Sequence, residues 1–102
     1  MGDTHTITNE NGTITVTAGV LSQVVRTVVA SVDGARARRP KRGLDVELDG
    51  QRARVELELA VRYGEVVPEV AEEVQRRVHE ALRAQCGLET SSVDVSVEEL
   101  DT

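Results

Sequence analysis

Phenylalanine and tryptophan are absent from this chain, and tyrosine occurs once, at Tyr63. A core without those rings has to be filled by valine, leucine, isoleucine and alanine, and the surface offers no aromatic platform on which a base or sugar could stack. Cysteine also occurs once, as Cys86, which excludes an intrachain disulfide and leaves a cysteine-based metal site short of ligands. No apolar run approaches the roughly 20 residues of a membrane span, and the polar stretch from Met1 to Gly12 lacks the apolar segment of a signal peptide. These absences imply a cytoplasmic protein. The glycines stand singly, so no glycine-rich loop is formed to cradle a phosphate.

What is present suits one small globular domain: 102 residues, 39% hydrophobic and 29% charged, enough for a single core. The net charge of -6 is unevenly spread, because Arg36, Arg38, Arg39, Lys41 and Arg42 hold five of the 12 basic residues in one short stretch. The rest of the chain is therefore strongly acidic. An acidic body repels nucleic acid and anionic lipid at long range, but screening beyond about 8 Å at physiological salt lets a protruding loop act on its own. The five cations are the candidate partner-binding residues. An acidic protein surface, lipid headgroups and nucleic acid are the partners such a loop could hold, and a solvated connector balanced by the acidic body is the plainer alternative.

Periodicity orders the chain. Residues 1–11 read as a flexible tail rich in Thr and Asn, and Asn11-Gly12 as the turn into a single domain over 12–100. Ile14 and Val16 alternate with threonines in a short strand. Val20, Leu21, Val24, Val25, Val28, Val29 and Val32 then recur at spacings of three and four, which predicts a helix from Ala18 to about Val32. Asp33-Gly34 ends it, and Pro40 and Gly43 break the basic stretch into a loop. Leu44, Val46 and Leu48 alternate with acids, and Asp49-Gly50 signals a tight turn into a second strand over Arg52 to Tyr63. Past Gly64 and Pro68, a second amphipathic helix runs to a C-terminal cap at Gly87. Val93, Val95 and Val97 mark the last strand. The order β-α-β-β-α-β predicts an α+β two-layer sandwich, a four-stranded, mostly antiparallel sheet with two helices on one face; a ferredoxin-like arrangement fits it, and a different pairing of the outer strands fits equally well. Its other face, with Glu47, Glu56, Glu58, Arg62, Asp94 and Ser96, is polar, and its open edges invite self-association.

The residues that could carry chemistry read as framework. Tyr63 continues the apolar phase of its strand and is expected to pack with its hydroxyl at the rim. Glu72 with Arg76, and Glu73 with Arg77, are i to i+4 surface pairs. His79 has Gln75 and Arg83 one turn away, neither a preferred metal ligand, and His5 lies in the tail. Cys86 falls at a helix C-terminus, where the dipole disfavours a thiolate. The carboxylates alternate outward along strands instead of converging in an apolar pocket, as acid–base work would require. Neither a catalytic residue, a metal site nor a cofactor is expected.

The stretches "GTITVTAGVLSQVV", "RVELELAVRYGEVVPEVAEEVQRRVHEAL" and "VDVSVEEL" resemble the alkaline-shock protein family of bacterial envelope-stress proteins. Gly12, Ile14, Val20, Tyr63, Gly64, Pro68, Val70, Ala71, Val74, Gln75 and Val78 carry the match, which covers about Gly12 to Leu100. The chain departs from the family's pattern at Gly34-Ala35, where Gly-Val would stand, and in the basic loop that follows. The resemblance implies a non-enzymatic cytoplasmic scaffold or adaptor, held at the membrane in some members by a separate membrane protein and tied to envelope homeostasis under stress. The alternative is a small nucleic-acid-binding module that grips a phosphate backbone with residues 36–42.

Overall fold

A computed structural model describes residues 4–37 and 43–101. In chain order the elements are β1 (Thr4–Asn9), β2 (Gly12–Thr17), α1 (Ala18–Ser31), β3 (Ala35–Ala37), β4 (Leu44–Asp49), β5 (Arg52–Arg62), α2 (Val67–Cys86) and β6 (Glu89–Asp101). Thr17 caps α1, its hydroxyl accepting the Val20 N–H at 3.4 Å. The helix is rich in β-branched residues and needs tertiary support, which comes from burying Leu21, Val25 and Val29. On α2 the buried residues are Val70, Val74, Val78, Leu82 and Cys86, every fourth position, so one narrow stripe faces inward. Gly87, at φ +68°, closes that helix in the left-handed conformation that its lack of a Cβ permits.

β5 is the centre of the main sheet. β4 and β3 both lie antiparallel along one of its sides and β6 runs parallel along the other, so the sheet is mixed. Both helices lie over the face that carries Ala53, Val55, Leu57, Leu59 and Val61, and all five are buried. With β3 and β4 counted as one interrupted edge strand, the order α-β-β-α-β is that of a ferredoxin-like unit whose first strand stands apart from the sheet.

Three expectations are corrected. Composition marks residues 1–11 as a tail, yet Thr4–Asn9 forms β1 and pairs antiparallel with β2 in a separate two-stranded sheet. Its alternation of Thr with His5 and Ile7 is a strand pattern that β2 completes, because a hairpin pairs each backbone N–H and C=O across a short turn. For the same reason β2 is not a member of the main sheet. The main sheet has four strands as expected, but they are β3 to β6, with β3–β5 and β4–β5 antiparallel and β5–β6 parallel. Finally, Ala35–Ala37 lies where a loop is expected. Three residues carry too short a pattern to read, and their strand geometry comes from pairing with Leu59, Ala60 and Val61 of β5.

Candidate interaction face

β3 and β4 are two parts of one edge. Ala37 stands opposite Leu59 and Leu44 opposite Leu57, so β3 and β4 flank the single rung at Glu58. The Glu58 N–H donates to the Gly43 carbonyl at 2.6 Å, which holds the ladder together across the interruption. Gly43 is at φ +79°, and a Cβ there would lie 3.2 Å from that of Glu58, so a glycine suits this crossing. The described residues on either side of the basic stretch, Ala37 and Leu44, therefore stand about 7 Å apart along the rim of the sheet. Of the five candidate partner-binding residues, Arg36 is on β3, whereas Arg38, Arg39, Lys41 and Arg42 lie outside the described residues.

The sheet face turned away from the helices is ordered by register. Its middle rung sets Asp45, Glu56 and Asp94 side by side on β4, β5 and β6, all exposed and without an ion pair among the described residues. Like charges opposite one another in a sheet are destabilising. This rung, with Gly43, Glu58 and Ser96 of the next, lines a shallow open concavity of about 470 Å³. Toward one end of the face Glu47 and Arg54 are paired in register. Toward the other end the charges are balanced by contact. Arg36 reaches over Ala60, its partner in register, to Glu99 at 3.2 Å and to both carboxylate oxygens of Asp101 at 2.9 and 3.0 Å. Ala60 is fully buried beneath this bridge although it lies on the open face. The hydrogen bonds that Arg36 donates hold the Asp101 carboxyl below the usual range, and the same bonds, accepted by the carboxylate, raise the pKa of the guanidinium. One of the five cations of the stretch is thus committed within the fold.

Beyond this bridge, Arg62 contacts Asp33 at 3.1 Å and Glu65 at 3.3 Å. Tyr63 follows and is 69% exposed, which corrects the expectation of a packed side chain; Val66 and Leu100 are exposed as well. β5 ends at Arg62, and the chain turns through Gly64 at φ +99° before the apolar phase can carry Tyr63 under a helix. On α2, Glu73 takes Arg76 at 2.6 Å and Arg77 at 2.9 Å, and Arg76 also holds Glu80 at 2.9 Å. Hydrogen bonds from Arg76 and then Arg77 lower the Glu73 pKa. The Glu73–Arg77 pair is the one expected, whereas Arg76 pairs with Glu73 and Glu80 instead of Glu72.

His5 is not in a tail. It is 3% exposed, with Nδ1 3.3 Å from the Gly50 carbonyl oxygen. His79 is exposed. Burial pushes the Cys86 thiol up, away from the thiolate that a nucleophile needs. Among the described residues no three His, Cys, Asp or Glu side chains are grouped to hold a metal, and no helix is long and apolar enough to cross a membrane.

The family model of the alkaline-shock protein 23 family, described as having a cell envelope-related function, matches residues 35–102. None of the curated proteins matches the chain. Among solved structures, MamM-CTD aligns with 19% identity over 80% of this chain and 98% of that one, at a TM-score of 0.57. A cadmium form of a MamM-CTD variant aligns with 20% identity over 80% and 95% at 0.57. A manganese form of another aligns with 18% identity over 80% and 98% at 0.56. At these identities the likeness is one of fold.

Proposed function

The chain belongs to the alkaline-shock protein 23 family, whose function is related to the cell envelope, and from that premise we propose that it is a non-enzymatic scaffold or adaptor working through protein–protein contacts. The observation that carries this reading is an acidic rung on the open face of the sheet close to Gly43, where the chain re-enters the described structure after the basic stretch. The rung is made of three exposed carboxylates, Asp45, Glu56 and Asp94, and the stretch holds five cations. Such a surface steers and registers a protein of complementary charge, and a second copy of the chain carries both halves of that complement. Lipid headgroups and nucleic acid are weaker matches for Arg38, Arg39, Lys41 and Arg42, because their phosphates would also meet the acidic rung. In the cell the protein acts in the cytoplasm, reaching the inner face of the membrane through a partner.

Light scattering over a wide concentration range at low and high salt tests the reading. Charge-driven assembly appears as a mass that grows with concentration at low salt and falls back at high salt. Neutralising Arg38, Arg39, Lys41 and Arg42 together is expected to remove the part of the low-salt growth that salt also removes. Assembly that ignores both salt and neutralisation would remove the basic stretch from the mechanism. A gel shift with mixed RNA at low salt separates the phosphate-binding alternative, for which a retarded band is required.

A further inference from the structure

The β1–β2 hairpin has two unlike faces. Its register places Thr4 opposite Thr17, Thr6 opposite Thr15 and Thr8 opposite Thr13 on one side, and His5 opposite Val16 and Ile7 opposite Ile14 on the other. The His5–Val16 pair lies against the body, His5 being buried and Val16 packed on the core. The apolar face continues past that point, because every residue from Thr6 to Thr15 is exposed, including Ile7 at 37% and Ile14 at 52%. An isolated two-stranded hairpin is at best marginally stable in water. A face that begins in the core and ends in solvent is an interface half-built.

The complementary surface is on the next element. α1 carries a second stripe beside its buried one: Val20 is 46% exposed, and Val24 and Val28 are partly buried. With Gln23, Thr27 and Gln85 they line an open groove of about 240 Å³. β2 passes directly into α1 at Thr17, so the arm leaves from the helix N-terminus, and its own isoleucines are exposed and do not line its own groove. The whole segment is also nearly uncharged. Between Thr4 and Ser31 the ionic side chains, histidine aside, are Glu10 at the arm's turn and Arg26 on the helix, in a chain that is 29% charged. Depletion of charge marks the core of a protein interface, and the two charges that remain are opposite in sign.

We propose that a second copy of this chain occupies the groove: two molecules exchange hairpin arms about a two-fold axis, Ile7 and Ile14 of each packing on Val20, Val24 and Val28 of the other. The exposed part of the arm, Thr6–Asn9 with Gly12–Thr15, is about 13 Å long and two strands wide and covers roughly 130 Å², so two reciprocal contacts bury on the order of 500 Å² of total surface. That lies below the standard interface, and the dimer is accordingly weak and concentration-dependent. Because its contacts are apolar, it persists at high salt. The proposal rests on the self-association in the reading above but assigns it a different surface, so salt separates the two.

The test is light scattering and sedimentation of the full chain at high salt, for the wild type and the Ile7→Lys/Ile14→Lys variant. Both positions are exposed, and circular dichroism checks that the variant is folded. The wild type is expected to shift toward dimer mass with concentration, and the variant to need at least about tenfold more protein for the same shift. A variant that associates like the wild type overturns the proposal, as does a wild type that stays monomeric up to about 1 mM. Association that vanishes in salt and ignores the variant overturns it too, while leaving the charge-based reading intact. In a Cys86→Ser background, mixed Ile14→Cys and Val24→Cys chains should give an oxidised heterodimer. The absence of that link in an associating sample would overturn the arrangement.

Discussion

Two hairpins in this chain are written in the same alternation and end in different states. β4 and β5 set Leu48, Val46 and Leu44 opposite Ala53, Val55 and Leu57, and the helices close over that face until Ala53 and Val55 have no exposed surface. β1 and β2 set His5 and Ile7 opposite Val16 and Ile14, and one of these two pairs reaches the body. Alternation decides which side chains share a face. Burial is decided by what arrives above it, and here the helices cover one hairpin and leave most of the other uncovered.

The sharpest way to break this comparison is to delete matching apolar mass from each hairpin. Leu59, with 0% exposure, should lose about 2–5 kcal/mol on Leu59→Ala through lost transfer energy and a cavity. Ile14→Ala should change monomer stability by less than about 0.5 kcal/mol. Urea unfolding of dilute protein measures both, and equal losses would mean that the arm is part of the cooperative core.

The turns provide a smaller contrast. Gly50 is at φ +61° with open space around it, so Gly50→Ala should cost about 1 kcal/mol of global stability, and Gly50→Asn less. Gly12 is at φ +131°, where an L side chain is strained whatever the space. Gly12→Ala should speed amide exchange within β1 and β2 while leaving the unfolding midpoint of the body in place. A midpoint that moves as far as that of the Gly50→Ala variant would unite the hairpins in one folding unit.

The smallest effect concerns charge at the edge of β5. Asp101 is held below the ordinary carboxylate range by Arg36, so its pairing contributes stability above that range and loses it as pH falls through the lowered value. Arg36→Ala should return the Asp101 titration to the ordinary range, as read by carboxyl NMR. The stability gap between variant and wild type is present at neutral pH and narrows in acid, and salt reduces it because both partners are exposed.

Much of the frame was legible. The 3.6 period of α1 and α2, the alternation of β4 and β5, the Asp49-Gly50 turn and the cap at Gly87 are local patterns, and the structure keeps each within a residue or so. The candidate face was legible in part. Outward alternation put Glu56 and Asp94 on one polar surface, but the Asp45–Glu56–Asp94 rung depends on the register of three strands, and β6 pairs with β5 across a whole helix. Arg36 looked like one member of a free basic cluster. Its partners, Glu99 and Asp101, are more than 60 residues away, and no spacing rule joins them.

The sequence by itself determined the class of core, free of phenylalanine and tryptophan, and the helices and strands whose periods run long enough to read. It also determined that one short stretch would be basic in an acidic chain. The tertiary structure alone decided that the strands on either side of this stretch share one edge of β5, that β2 pairs with the N-terminal strand instead of the main sheet, and that Ala60 is buried under an arginine. Local backbone preference acts over a few residues, whereas strand partnership and burial are set by which distant surfaces exclude water together.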